Sequence, residues 1–132
     1  MTDPTMQDRF AGIQVGDTLP ERRYTPDNVQ LMLYNAVLWN GHRIHFDREY
    51  TRDEEGYPGL VVTGPLTATL LAQFAADNAG RELAGFSFRG RAPLFDFASF
   101  HLVGDADGDT AEVSARRSDG VTAMTATAEF AA

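Results

Sequence analysis

The sequence predicts an α+β fold in which one antiparallel sheet wraps around a buried helix. Three observations lead to this prediction. An amphipathic helix is indicated at residues 26–38, a second and almost wholly apolar helix follows at 66–76, and from residue 85 the hydrophobic period changes from 3.6 to 2. Helices followed by a run of strands are typical of α+β proteins.

The first helix is predicted from its start signal and its apolar spacing. Thr25-Pro26-Asp27 offers a hydroxyl cap, a proline at the first helical position and an acid in the first turn. The apolar side chains that then recur at helical spacing are Val29, Met32, Leu33, Ala36 and Val37. Further along, Asp47 is expected to cap a short helix that ends near residue 54.

The second helix is apolar on nearly every face, and Gly80 is a suitable stop for it. A helix of this kind is expected in the middle of a protein. Four strands follow, and the last, at 121–130, places Met124, Ala126, Ala128 and Phe130 on one face. The breaks at 104–109 and 118–120 have the composition of hairpin turns.

The composition argues against several classes of partner and of catalysis. The 132 residues suit one domain, with residues 1–12 as a loose lead-in. The formal charge of −8 argues against nucleic acid or an anionic membrane as a partner. The absence of cysteine excludes thiol catalysis and thiolate metal sites. With neither a secretory leader nor a long apolar run in the sequence, a soluble cytoplasmic protein is the expectation.

The three histidines differ in their surroundings. His101 lies within a predicted strand, where a structural or interface role is expected. His42 and His45 lie in a polar segment after the first helix. Their spacing is compatible with a metal, but no third ligand stands at a suitable distance along the chain, so no metal site is predicted.

Two stretches of sequence carry a family resemblance. Residues 40–47 (NGHRIHFD) and 56–66 (GYPGLVVTGPL) resemble the hydratase-2 motif of MaoC-like dehydratases, in the branch of the 3-hydroxyacyl-thioester dehydratases and mesaconyl-CoA-type hydratases. The likeness is close over 39–66 and looser over 15–130. It implies a hot-dog fold and an enzyme that interconverts 2-enoyl and 3-hydroxyacyl thioesters by adding or removing water, with no cofactor.

The resemblance also assigns roles to single residues. His45 matches the motif histidine, Asn40 stands in place of the usual aspartate, and the Gly64 N–H would receive the thioester carbonyl. Histidine suits proton transfer near neutral pH because its reference pKa is about 6.5. Asn40 can orient water and substrate without titrating. Thr63 stands where many members of the family have histidine.

Substrate contacts are predicted at Thr63, Pro65, Arg89 and Arg91, with Arg116 and Arg117 as further candidates for the phosphates of a carrier. The expected substrate is a thioester of CoA or of an acyl carrier protein. A homodimer or a higher homo-oligomer is also expected, because a lone hot-dog sheet leaves an edge strand open.

Simpler interpretations stay open at this stage. Asn40 could end a helix, His45 could be a hydrogen-bonded loop residue, and Gly64 with Pro65 could simply begin a helix. A hot-dog thioesterase is disfavoured because residues 64–76 contain no acid and Asp77 lies at the far end. A non-catalytic subunit that binds acyl thioesters is an alternative, since Asn40 and Thr63 both depart from the common motif.

Overall fold

The computed structural model describes residues 18–132. The predicted lead-in at residues 1–12 lies outside this part of the chain. The helices are α1 (Asn28–Val37), a 3₁₀-helix (Arg43–His45), α2 (Arg48–Asp53) and α3 (Gly64–Ala79). The strands are β1 (Arg22–Tyr24), β2 (Leu83–Gly90), β3 (Phe100–Asp107), β4 (Thr110–Arg117) and β5 (Thr122–Phe130).

The strands form one antiparallel sheet in the order β1-β3-β4-β5-β2. The α+β prediction and its four strands are confirmed. The edge strand β1 was not predicted, because its three residues, Arg-Arg-Tyr, give no alternation of apolar and polar side chains. The other edge is β2, which is eight residues long and pairs only with β5 in the described part of the chain.

The two hairpins turn at glycines in the left-handed region, Gly108 with φ 65° and Gly120 with φ 90°. The predicted break at 104–109 was too long, because β3 continues to Asp107. Gly104 lies inside β3 opposite Val113. A Cβ there would be 2.5 Å from the Glu112 carbonyl oxygen, so this glycine serves close strand packing and not a turn.

Helix α1 confirms the predicted helix but not its cap. Asp27 is the N-cap residue, and its carboxylate accepts a 2.7 Å hydrogen bond from Gln30 N. The buried side chains of the helix are Leu31 and Asn35. The predicted stripe of apolar side chains lies on the opposite side of the helix and is exposed. Val37, for example, has 80% of its surface exposed. The periodicity therefore identified the helix but not the face that the core covers.

Helix α3 lies across the sheet and contacts β2, β3, β4 and β5. Its side chains Leu71 and Phe74 are fully buried. The burial of each stabilises the fold by about 1.5–3 kcal/mol. Gly80 ends the helix in the left-handed conformation, as predicted, with φ 64°. Thr69 and Gln73 are exposed, so the sheet covers the helix on one side. In residues 18–132 no helix is long and apolar enough to cross a membrane.

Candidate active site

His45 ends the 3₁₀-helix and is buried, with 7% of its surface exposed. Its Nδ1 lies 2.6 Å from the carbonyl oxygen of Val61. A carbonyl can only accept a hydrogen bond, so Nδ1 carries the proton. The neutral ring then has an unprotonated Nε2, which is the form that a general base requires.

Burial also sets the charge of this histidine. The loss of solvent lowers the pKa of His45 below its ordinary value of 6.5, more than the hydrogen bond to Val61 raises it, and the nearby His42 lowers it further. The ring is therefore neutral at physiological pH. A buried neutral imidazole whose tautomer is fixed by a backbone carbonyl can take up and return a proton.

His42 has a different role in the same segment. It is exposed and caps the 3₁₀-helix, because its Nδ1 accepts a 3.4 Å hydrogen bond from Ile44 N. Its ring centroid lies 5.9 Å from that of His45. No group of three or more potential metal ligands occurs in the described residues. His101, on β3, pairs through Nδ1 with Glu21 at 2.6 Å.

Asn40 lies just beyond α1 and is half-buried. Its Oδ1 accepts a 3.1 Å hydrogen bond from His42 N, and its own N–H donates to the Asn35 carbonyl at 2.8 Å. These bonds place Asn40 at the start of the segment that ends in His45. Its role toward water and substrate stays a prediction.

Thr63 precedes α3 and is almost fully buried. Its hydroxyl does not cap the helix but donates to Asn35 Oδ1 at 2.8 Å. Asn35 in turn donates from Nδ2 to the Leu31 carbonyl at 2.6 Å. Because this hydroxyl is already bonded within the chain, the predicted role of Thr63 in substrate binding would have to come from its methyl group or its backbone.

Asn35 was missed by sequence reasoning. The signal that could have found it is a polar residue four positions after Leu31, on the side of α1 that the core covers. Buried amides need hydrogen-bond partners, and Asn35 finds both of its partners within the motif and its own helix. It thereby joins α1 to the start of α3.

Gly64 begins α3 and is exposed, as is Pro65. No acceptor within residues 18–132 contacts the Gly64 N–H, while Leu66 N and Thr67 N both donate to the Thr63 carbonyl. A Cβ at Gly64 would meet no atom within 4 Å. An open N–H at a helix start, where the dipole is positive, can bind a developing oxyanion.

Of the predicted arginines, Arg89 lies on the edge strand β2 and Arg91 just beyond it, whereas Arg116 and Arg117 lie at the end of β4. Arg89 and Arg91 are both exposed, and Arg91 Nε donates to Thr125 Oγ1 at 3.2 Å. Arg117 forms an ion pair with Asp119, so its charge is already partly neutralised. The structure gives no contact that joins these arginines to His45.

Sequence comparison relates the chain to a known family. The family model for hydroxyacyl-thioester dehydratase type 2 matches residues 5–96.

The chain belongs to the hydroxyacyl-thioester dehydratase type 2 family.

One relative of the chain is a mesaconyl-C(4)-CoA hydratase from Chloroflexus aurantiacus, 49% identical over 109 residues. The match covers 83% of this chain but 39% of that protein, so the chain spans about two fifths of its relative.

Solved structures confirm the hot-dog fold. An (R)-hydratase from A. caviae involved in PHA biosynthesis superposes with a TM-score of 0.78 at 16% identity, covering 89% of this chain and 96% of that one. A chain of the ChsH1–ChsH2 complex from Mycobacterium tuberculosis gives a TM-score of 0.78 at 22% identity, with coverages of 89% and 97%.

Proposed function

We propose that this chain is a hydratase and dehydratase that interconverts 2-enoyl and 3-hydroxyacyl thioesters, with His45 as the general base. The observation that carries the proposal is the hydrogen bond from His45 Nδ1 to the Val61 carbonyl, which leaves Nε2 unprotonated in a buried site. Family membership and the relative that is named a mesaconyl-C(4)-CoA hydratase support the same reaction class.

The chemistry balances with one titrating side chain. Nε2 of His45 takes a proton from water as the water oxygen bonds to C3 of the enoyl thioester. The double-bond electrons move to the thioester oxygen, and the Gly64 N–H stabilises that enolate. His45 then returns its proton to C2, which regenerates the neutral imidazole and completes the 3-hydroxyacyl product. Asn40 orients the water and does not exchange a proton.

The acyl part of the substrate suits an apolar groove beside α1. The groove has a volume of about 600 Å³, and its apolar lining includes Leu33, Val37 and Leu66. Leu66 is two residues after Gly64, so the groove begins next to the proposed oxyanion site. Arg89 and Arg91 are exposed cations that would meet the phosphates of a CoA or acyl-carrier group.

A homodimer is the proposed assembly. Strand β2 is a sheet edge of eight residues, and Phe88 on it is 51% exposed. A long edge strand with an exposed aromatic side chain favours pairing with another copy. Sedimentation of the purified chain would test this proposal, and a monomer at all concentrations would contradict it.

The activity test uses the purified chain with a panel of 2-enoyl-CoA and 3-hydroxyacyl-CoA esters. The expected result is loss of the enoyl absorbance with the enoyl esters and its appearance with the 3-hydroxyacyl esters, in both cases without release of free thiol. Release of thiol would identify a thioesterase instead. Neither change, in the presence of thioester binding, would favour a non-catalytic subunit.

The subunit function is the second candidate because of two observations. The chain spans 39% of the Chloroflexus aurantiacus relative, and Asn40 replaces the usual acid of the motif. Such a subunit would bind the thioester and complete the pocket of a partner. His45→Ala separates the two functions. An enzyme would lose its turnover through this change, whereas a binding subunit has no turnover and would keep its affinity for the thioester.

A further inference from the structure

Asp96 is a buried carboxylate outside the motif. Its side chain is 1% exposed, and it forms an ion pair with Arg48 in which both guanidinium Nη atoms reach the carboxylate, Nη1 at 3.4 Å from Oδ1. Oδ1 also accepts a 3.1 Å hydrogen bond from Leu60 N. A buried charge is tolerated only when paired and hydrogen-bonded in this way.

Asp96 also holds Leu60 through its backbone, since Asp96 N donates to the Leu60 carbonyl at 3.0 Å. The two residues after Leu60 are held from two sides. Val62 N donates to the Leu94 carbonyl at 2.8 Å, and Val61 N donates to the Ile44 carbonyl at 2.8 Å. The short segment is therefore anchored at Leu60 to Asp96, directly before the Val61 peptide.

The segment matters because the Val61 carbonyl is the acceptor of the His45 Nδ1 proton. Arg48 begins α2 three residues after His45, so the Arg48–Asp96 pair spans from the histidine's own segment to the segment that holds its acceptor. Stability alone is a weak reason for such a pair, because desolvating two charges offsets much of their attraction.

The backbone next to Asp96 is strained in support of this arrangement. Phe97 is 63% exposed and adopts φ 59°, a left-handed conformation that is unfavourable for a bulky residue. Its N–H donates to the Pro26 carbonyl at 2.7 Å. A Cβ at Gly59 would lie 2.9 Å from Asp96 Oδ1, so the chain approaches the carboxylate as closely as glycine allows. Strain of this kind collects at functional sites.

We propose that Arg48 and Asp96 are positioning residues that fix the Val61 carbonyl and thereby hold His45 in its Nδ1–H tautomer, with Nε2 free to act as base. What His45 does with that nitrogen rests on the proposed function. The effect of the Arg48–Asp96 pair, called the clamp, does not depend on that function, because the tautomer of His45 can be observed without substrate. Neither residue touches the reacting atoms in this proposal.

The test compares Asp96→Asn and Arg48→Met with Asp77→Asn as the control. Asp96→Asn keeps the shape of the side chain and an acceptor for Leu60 N but loses the charge pair. Asp77 forms a half-buried pair with Arg22 near the far end of α3, about 20 Å along the helix from Gly64. The control therefore removes an Arg–Asp pair at a distance from His45.

The first measurement is the ¹⁵N spectrum of histidine-labelled protein at a pH where His45 is neutral, with His45→Gln to assign its signals. Wild type and Asp77→Asn should show one nitrogen of the N–H type at Nδ1 and one unprotonated nitrogen at Nε2. Both clamp variants should show the two tautomers in exchange. Should Asp96→Asn fail to fold, Arg48→Lys keeps the charge, loses the fork and should show a smaller change.

The second measurement is kcat/KM for the best enoyl thioester, which should fall by about 10- to 100-fold in the clamp variants through kcat. Clamp variants with a lowered Tm but the wild-type tautomer and turnover would overturn the proposal, because the pair would then be structural only. An inactive wild type with a shifted tautomer in the variants would instead refute the hydratase function and leave the clamp standing.

Discussion

The sheet and the motif segment, residues 40–63, are held together in opposite ways. Strands β3, β4 and β5 are joined by continuous ladders, and the buried side chains on them repeat with a period of two. The motif segment contains one turn of 3₁₀-helix and a short α2, and its remaining bonds occur once each. His45 to Val61 and Thr63 to Asn35 are examples of such single bonds.

This difference determines what a substitution does. Each pair of strands is joined by many equivalent backbone hydrogen bonds. A substitution in the sheet should therefore lower the free energy of unfolding without affecting one particular function. A single bond in the motif segment has no substitute. Its loss should therefore lower activity more than stability.

The largest expected effect is that of His45→Ala. Removing the base should lower kcat by about 10²–10⁴-fold while circular dichroism shows that the fold persists. Phe100→Ala is the contrasting variant, because Phe100 is fully buried on β3 and its truncation should cost about 3–5 kcal/mol of unfolding free energy. Its folded fraction should keep near wild-type kcat. Near wild-type turnover in His45→Ala would exclude His45 as the base.

His42→Ala is the matched control for that variant. It removes an exposed ring that caps the 3₁₀-helix, so it should cost much less turnover than His45→Ala. Equal inactivity of the two variants would point instead to a paired-histidine site.

Asn40 gives the next largest effect. Asn40→Ala removes the acceptor for His42 N and the proposed water contact, and kcat should fall by about 10²-fold. Asn40→Asp keeps the oxygen and should be milder. Its negative charge should raise the pKa of His45 and move the acidic limb of the kcat/KM profile to higher pH. If the Asp variant is as inactive as the Ala variant, Asn40 does not act through its oxygen.

Gly64→Val should lower kcat by about tenfold, a cost of about 1.4 kcal/mol at the carbonyl site. A Cβ there would meet no protein atom within 4 Å, so Tm should change much less than kcat. The free space belongs to the substrate in this interpretation. Parallel losses of kcat and Tm across Ala and Val variants would show that Gly64 serves the helix start alone.

The smallest effect concerns pH. Because burial lowers the pKa of His45, the midpoint of the acidic limb of kcat/KM should lie below pH 6.5. Between the folded pKa and 6.5 the unfolded chain binds more protons, so the free energy of unfolding should decrease as the pH falls through this window. Urea unfolding of His45→Gln should lack that part of the slope. An acidic midpoint above 6.5 contradicts the lowered pKa.

The elements with a periodic pattern of apolar residues could be predicted from the sequence. Contacts that occur only once in the structure could not. Strands β4 and β5 followed from alternation, and α3 followed from its apolar run and Gly80. The buried face of α1 could not be read from its stripe, because Val37 and its neighbours are exposed while Asn35 is buried. Periodicity describes where apolar side chains lie on a helix and not which side of it the core will cover.

For the proposed site, the motif named His45, Asn40 and Gly64, whose roles stay predictions, but it named none of the contacts that orient them. The acceptor of His45, the Val61 carbonyl, is a backbone atom with no sequence signal of its own. Asp96 lies far along the chain from His45, among residues with no motif. Contacts that depend on long-range backbone geometry become visible only when the chain is folded.

Trp39 gives the molecule a fluorescent probe close to the proposed site. It is the only tryptophan in the chain, it is 95% exposed, and it lies one residue before Asn40. Indole emission shifts to shorter wavelength when the ring leaves water, so the fluorescence of this protein reports on one place, the end of α1. Covering that place by assembly or by a ligand becomes measurable without a label. Unfolding moves the ring from water to water, so this fluorophore is nearly blind to it and the melting of the sheet must be followed by circular dichroism or calorimetry.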